Sequence, residues 1–173
     1  MPYLVRQALK TDADAIARVE VASWRGAYAG LMPDAFLAAL CENEKAQIWR
    51  DDIGKHEALR RKRVLIATQQ QDVVGFCRFG APSEREPLGL VYLLYVMPAH
   101  WGRGCGSVLM RAATEELGGM GMTEVTLWVL RDNVRARRFY EAAGWSPDGA
   151  VSFDDYGGVR LESCSYRKRL MPD

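Results

Sequence analysis

The chain has 173 residues, enough for one domain with a substantial core and short for two. Its composition is that of a soluble globular protein, and a net charge of +1 offers no basic face for nucleic acid. Because it has neither a signal-like start nor an apolar run near the ~18 residues that span a bilayer, we expect a single cytoplasmic domain over residues 1–173, without nucleic-acid or membrane partners.

The first half of the chain predicts strands and helices in alternation. Acidic residues suit the first turn of a helix that Thr11 can cap, and two glycines and a proline break the pattern after it. The predicted elements are a strand at 3–10, a helix at 11–24, a loop at 25–33, a helical region at 33–53, and strands at 64–68 and 73–80 joined by a polar turn at 69–72. The basic runs at 59–63 and 135–138 are typical of solvated surface.

The second half predicts a strand–helix–strand–helix unit. Its elements are a loop at 81–89, a strand at 90–97, a helix at 107–117, a strand at 124–130, a helix at 133–143, a loop at 146–158 and a last strand at 161–170. The strand at 90–97 is apolar on both faces, with Leu90, Tyr92, Leu94 and Val96 expected on one side. Both faces of its sheet should therefore be covered.

Three glycines at alternate positions, Gly102, Gly104 and Gly106, follow this strand in "WGRGCGS". Amides at a helix N-terminus attract anions, and glycines let a phosphate approach them closely. The dinucleotide fingerprint and the P-loop both require other residues here. A phosphate-binding turn and a tight turn without a ligand both remain open on the glycines alone.

Two longer segments carry a family resemblance. "LYVMPAHWGRGCGSVLM" resembles the acetyl-CoA loop of the GNAT superfamily of N-acetyltransferases, and "LWVLRDNVRARRFYEAAGW" is similar to that superfamily's next strand and helix. Trp101 stands where the pattern has glutamine or arginine. The resemblance implies an α/β (α+β) domain with a mixed, mostly antiparallel central sheet, helices on both faces and a splayed pair of central strands. It also implies an acetyl-CoA-dependent N-acetyltransferase.

The resemblance also implies roles for particular residues. The Val96 backbone N–H would bind the thioester carbonyl, and Tyr140 would give a proton to the leaving thiolate. From the residues alone, Tyr140 reads as a core tyrosine and Asn133 as a helix N-cap. Arg135 and Arg138 could reach the cofactor phosphates. The implied cofactor-binding residues are Tyr95, Val96, Arg103, Gly104, Cys105, Gly106, Ser107, Asn133 and Tyr140.

The acceptor site is less defined by sequence. Trp24, Tyr28 and Tyr92 are the candidates for an aromatic wall that suits an amine by cation–π contact or by shape, although packing of the first helix explains Trp24 and Tyr28 equally well. The strand at 90–97 lacks the glutamate that members of the superfamily often carry there. The proton acceptor would then be water or a carboxylate from elsewhere in the chain, such as Glu20, Asp34, Asp154 or Asp155, and the sequence does not choose among them.

Two functions follow as hypotheses. The first is transfer of an acetyl group to a primary amine of a small molecule or peptide, by direct attack in a ternary complex. The alternative is a non-catalytic acyl-CoA-binding regulatory module. Scattered cysteines and only two histidines predict no metal site. The sequence does not reveal the oligomeric state, and we expect a homodimer only because dimers are the commonest oligomers.

Overall fold

In a computed structural model the protein is described over residues 2–59, 62–82 and 87–170. The predicted basic run at 59–63 and loop at 81–89 lie partly outside the described residues. The strands are β1 (Leu4–Gln7), β2 (Lys62–Gln69), β3 (Asp72–Gly80), β4 (Leu88–Val96), β5 (Glu124–Leu130), β6 (Ser146–Tyr156) and β7 (Val159–Arg169). The helices are α1 (Ala13–Ala27), α2 (Asp34–Ala38), α3 (Glu42–Leu59), α4 (Cys105–Gly119) and α5 (Val134–Ala142).

The strands form one seven-stranded sheet in the order β1-β2-β3-β4-β5-β7-β6. β4 and β5 run parallel and are connected through α4, whereas every other neighbouring pair is antiparallel. The mixed, mostly antiparallel sheet predicted from the sequence is therefore confirmed.

Helices cover both faces of the sheet. On one face α1 and α3 pack through Ile16 and Trp49 onto Phe76 of β3. On the other face Leu109 of α4 and Tyr140 of α5 belong to a second buried cluster. Two buried faces explain why the central strands are apolar at successive positions.

The central strands separate at a β-bulge. β4 pairs with β5 only from Leu88 to Val91, and opposite β3 the register skips Tyr92, since Phe79 faces Val91 and Arg78 faces Leu93. An extra residue bends a strand and reverses the side-chain alternation beyond it. The predicted alternation is therefore wrong before the bulge, because Val91 packs in the same cluster as Val96.

The segment at 146–158 was expected to be a loop, and this prediction is wrong. Most of it forms β6, which pairs with β7 over a tight turn at Gly157 and Gly158. Its glycines, proline and aspartates give little strand signal, and the pairing with β7 supplies the hydrogen bonds that hold it extended. β6 carries Asp154 and Tyr156 to the end of the sheet where β4 and β5 have separated.

Among the described residues, no helix combines the length and the apolar character needed to cross a membrane.

Candidate active site

A cleft of about 1010 Å³ opens where β4 and β5 separate. Its lining brings together most of the residues predicted from the sequence. These are Trp24, Tyr28, Tyr92, Tyr95, Val96, Gly104, Gly106, Ser107, Asn133 and Tyr140. We call the part formed by residues 94–96, the loop at 101–107 and the start of α5 the loop end. The part formed by Trp24, Tyr28, Asp154 and Tyr156 is called the aromatic end.

Two of the three loop glycines adopt backbone conformations that disfavour other residues. Gly102 and Gly104 have φ of +69° and +86°, and a Cβ built on either meets no atom within 4 Å. Gly104 is the N-cap of α4, so the first amides of that helix face the loop. Gly106 serves packing instead, because its α-carbon approaches the Phe139 ring of α5, which lies 3.3 Å from a built Cβ.

Two predicted cofactor-binding residues do not line the cleft. The Arg103 side chain is exposed on the outside of the loop. Cys105 is completely buried in the core, where burial raises the pKa of its thiol to about 11. The contact with the cofactor that is predicted for these two residues would therefore come from their backbone amides, and it stays a prediction.

The separated strands direct backbone groups into the gap between them. Met97 donates to the Val74 carbonyl at 2.8 Å, so the neighbouring pair Gly75–Val96 is a non-hydrogen-bonded pair of the antiparallel ladder. The N–H and C=O of Val96, and by the same alternation those of Leu94, therefore point away from β3 and towards β5. An extended ligand could pair with this edge as an added strand does.

Tyr140 lies in the wall between the two ends of the cleft. It is 8% exposed, and its ring packs near Trp145 and Tyr166 in the core. Burial raises the pKa of its phenol, with further increases from Tyr28 and Cys77 and an opposing decrease from Arg135. The hydroxyl consequently stays protonated through the physiological range, which is the form a proton donor needs.

Asn133 begins α5 in the way predicted from its position. Its Oδ1 accepts a hydrogen bond from the Ala136 amide at 3.1 Å, which makes it the side-chain N-cap. The residue is buried and lines the cleft as well. Because Oδ1 of Asn133 already accepts the capping hydrogen bond, a hydrogen bond to a ligand would come from its side-chain nitrogen.

The aromatic end is built from distant parts of the chain. Trp24 contacts Tyr28, Tyr95 and Tyr156 with ring centroids 5.1, 6.3 and 6.0 Å apart. Lys45 lies 5.6 Å from the centroid of Trp24, so this lysine already provides a cation for the indole. No sequence signal points to Tyr156, because it lies within the segment at 146–158 that reads as a loop.

Tyr92 lies apart from this aromatic group, although it lines the cleft. Its ring contacts two cations, with Lys62 Nζ 4.8 Å and the Arg78 guanidinium 5.6 Å from the ring centroid. The rings that contact Trp24 include Tyr28, Tyr95 and Tyr156, and the predicted role of Tyr92 in binding the acceptor stays a prediction. The bulge at Tyr92 interrupts the side-chain alternation that the sequence suggests.

Asp154 is the one candidate proton acceptor that lines the cleft. Asp155, its neighbour on β6, accepts the Gly158 amide at 2.9 Å within the turn. Asp34 is exposed in the first turn of α2. Adjacent residues of a strand face opposite sides, which separates Asp154 from Asp155.

Glu20 is buried and fully engaged elsewhere. Its carboxylate accepts from Lys45 Nζ and from Trp49 Nε1, both at 2.7 Å. It braces α1 against α3 and does not line the cleft. Among the described residues, no cluster of histidine, cysteine, aspartate or glutamate could hold a metal ion.

Comparison with known proteins places this fold and cleft in a family. The profile of the acetyltransferase (GNAT) family matches residues 24–145. The chain belongs to the GNAT family. It is 32% identical over 163 residues to the uncharacterised N-acetyltransferase YuaI of Bacillus subtilis, covering 91% of this chain and 88% of the relative. The predicted enzyme class, an acetyltransferase, is confirmed.

Solved structures show the same GNAT fold. The PaiA N-acetyltransferase of Thermoplasma acidophilum, solved with coenzyme A, superposes with a TM-score of 0.83 at 18% identity over 98% of this chain and 100% of the other. The yncA protein of Salmonella typhimurium, solved with its cofactor acetyl-CoA, gives a TM-score of 0.70 at 20% identity over 99% and 98%.

Trp101, which departs from the GNAT loop pattern, makes defined contacts in this GNAT protein. Its indole Nε1 donates to the Val96 carbonyl at 2.7 Å, and the Arg135 guanidinium stacks 3.5 Å from the ring centroid. Ser23 of α1 donates to the same carbonyl at 2.9 Å. Sequence reasoning missed Ser23 altogether, since a serine inside an amphipathic helix has no distinguishing signal.

Proposed function

We propose that this protein transfers the acetyl group of acetyl-CoA to a primary amine of a small molecule or peptide, by direct attack in a ternary complex. The observation that carries this proposal is the single continuous cleft. It contains the open strand edge at Val96, the protonated Tyr140 hydroxyl and the aromatic end with Asp154. Both substrates can therefore meet without a covalent enzyme intermediate.

The loop end fits the co-substrate that the family uses, which is acetyl-CoA. Gly102 and Gly104 leave open space in front of the α4 amides, as the close approach of a diphosphate requires. The N–H and C=O of Leu94 offer a donor and an acceptor to the amides of a pantetheine arm, while the Val96 N–H is directed at the acetyl carbonyl. Arg135 and Arg138 line the cleft and add positive charge to it.

The acetyl transfer itself needs two proton movements, after the incoming ammonium has become a neutral amine. Acetyl-CoA supplies the activated acetyl carbonyl. The Val96 N–H donates to that carbonyl oxygen and stabilises the negative charge that develops on it. The amine nitrogen forms the new C–N bond, the C–S bond breaks, and Tyr140 donates its proton to the departing sulfur. The nitrogen then loses a proton, which restores the phenol, so the products are an amide and a thiol.

The acceptor enters from the aromatic end as an ammonium ion. Asp154 supplies the negative charge in the lining of the cleft among the described residues, and Trp24, Tyr28 and Tyr156 supply apolar faces. The ammonium must lose one proton before attack, and Asp154 conducts that proton towards solvent. A neutral or anionic acceptor group would gain less from this arrangement.

Thiol release from acetyl-CoA across a panel of amines tests the proposal. Diamines, amino acids and peptide N-termini should each be compared with background hydrolysis, and at least one should give amine-dependent release with an intersecting initial-velocity pattern. The alternative, a regulatory acyl-CoA-binding module, is favoured by the absence of a carboxylate on β4. It predicts thermal stabilisation by acetyl-CoA without release for any amine.

A further inference from the structure

One backbone carbonyl in the cleft accepts two side-chain hydrogen bonds from different parts of the chain. The Val96 oxygen lies 2.9 Å from Ser23 Oγ and 2.7 Å from Trp101 Nε1. Ser23 is 2% exposed, and its bond is buried. Both lone pairs of this oxygen are therefore used by donors that belong to α1 and to the loop.

The position of this carbonyl makes the two bonds significant. In a strand the N–H and C=O of one residue point to the same side, and for Val96 that side is the gap between β4 and β5. An uncovered Val96 oxygen would present a partial negative charge beside the oxygen atom that the Val96 N–H is to stabilise. Such an arrangement would oppose the charge that develops during acetyl transfer.

We propose that Ser23 and Trp101 are positioning residues that hold the Val96 peptide groups and cover the Val96 carbonyl, so that the Val96 N–H alone faces the acetyl oxygen. The inference rests on the proposed function and extends it to two residues that do not touch the acetyl group. It also gives Trp101 a role that glutamine or arginine could fill only with a side chain that has more rotatable bonds and loses more entropy when it is fixed.

Trp101 is held in place on both sides. A Cβ built on Gly26 of α1 lies 3.0 Å from the indole ring, so α1 packs directly against it. The Arg135 guanidinium stacks on the ring, 3.5 Å from its centroid. Because the ring cannot swing away, the indole N–H stays directed at Val96.

Steady-state kinetics of Ser23→Ala, Trp101→Phe and the double variant provide the first test. Either remaining donor can still hold the carbonyl, so each single variant should lower kcat about threefold and the double variant roughly thirtyfold, more than the product. The KM for acetyl-CoA should change by less than about twofold, because the variants keep the backbone amides that are proposed to bind the cofactor.

Matched controls separate positioning from loss of stability. Ser165→Ala removes a buried serine that bonds Thr126 and Asp148, outside the cleft, and Trp49→Phe removes a buried indole N–H that donates to Glu20, also outside the cleft. Both should lower the free energy of unfolding and leave kcat unchanged. If Ser23→Ala, Trp101→Phe and the double variant likewise lose stability but keep the wild-type kcat, the inference is overturned.

A spectroscopic measurement without an amine tests the inference independently of turnover. The carbonyl resonance of acetyl-CoA labelled with carbon-13 at C1 should move downfield on binding to the wild type, and this shift should be lost in the double variant. An unchanged shift in the double variant would overturn the inference. If the wild type releases no thiol with any amine while the shift is lost as expected, the proposed function fails and the positioning role stands.

Discussion

The two ends of the cleft are built in different ways. The loop end comes from one continuous stretch, in which β4, the glycine turn and α4 follow each other, and α5 adds one capped helix start. The aromatic end is assembled from α1, the residue that follows it and β6, which are far apart in the chain. A binding site for a common ligand can therefore be formed by the backbone of one short stretch of chain. The site for a specific acceptor depends instead on side chains that are far apart in the sequence.

Tyr140 joins the two ends, and its removal should have the largest effect. Tyr140→Phe should lower kcat about 10²- to 10³-fold, because a positioned general acid contributes that much, with little change in the KM for acetyl-CoA. Thiol release measures both. Tyr166→Phe is the matched control, since its hydroxyl bonds Arg137 and Glu141 away from the cleft. Equal rates for the two variants would remove Tyr140 from the mechanism.

Backbone strain introduced at a single glycine tests whether the loop end binds acetyl-CoA. Gly104→Ala at φ +86° should weaken acetyl-CoA binding roughly tenfold, because the amides at the start of α4 must shift. Gly121→Ala, at φ +85° beyond the other end of α4, imposes the same strain outside the cleft. Calorimetric titration should show weaker binding of acetyl-CoA to Gly104→Ala than to Gly121→Ala. Similar affinities for the two variants would show that the turn at Gly104 has a structural role only.

The aromatic end should respond to loss of its charge. Asp154→Asn should raise the KM for the amine about tenfold and leave the KM for acetyl-CoA unchanged, because an ion pair in a partly enclosed cleft is lost. Asp155→Asn is the control, as asparagine can still accept the Gly158 amide. If both variants bind the amine alike, Asp154 does not contact the acceptor.

The smallest effect concerns stability at alkaline pH. Burial raises the pKa of Tyr140 above its ordinary value of about 10, so its contribution to stability is complete below about pH 10 and is lost as the pH rises further. Between about pH 8 and pH 11, the free energy of unfolding measured with urea should fall less for Tyr140→Phe than for the wild type. Equal losses would mean that Tyr140 titrates normally.

The sequence by itself determined the glycine turn and the N-cap at Asn133, because both depend on residues close together in the chain, where spacing fixes backbone geometry. The fold class and the cofactor came from the resemblance of two longer segments to the GNAT superfamily. The apolar pattern of β4 also predicted a sheet covered on both faces.

Only the tertiary structure decided which side chains share the acceptor end. The bulge at Tyr92 changes which residues of β4 face the cleft, and the pairing of β6 with β7 brings Asp154 and Tyr156 to it. Trp101 and Ser23 meet at one carbonyl although 78 positions separate their numbers. Hydrogen bonds between distant elements leave no periodic signal, because their partners are chosen by packing rather than by local spacing.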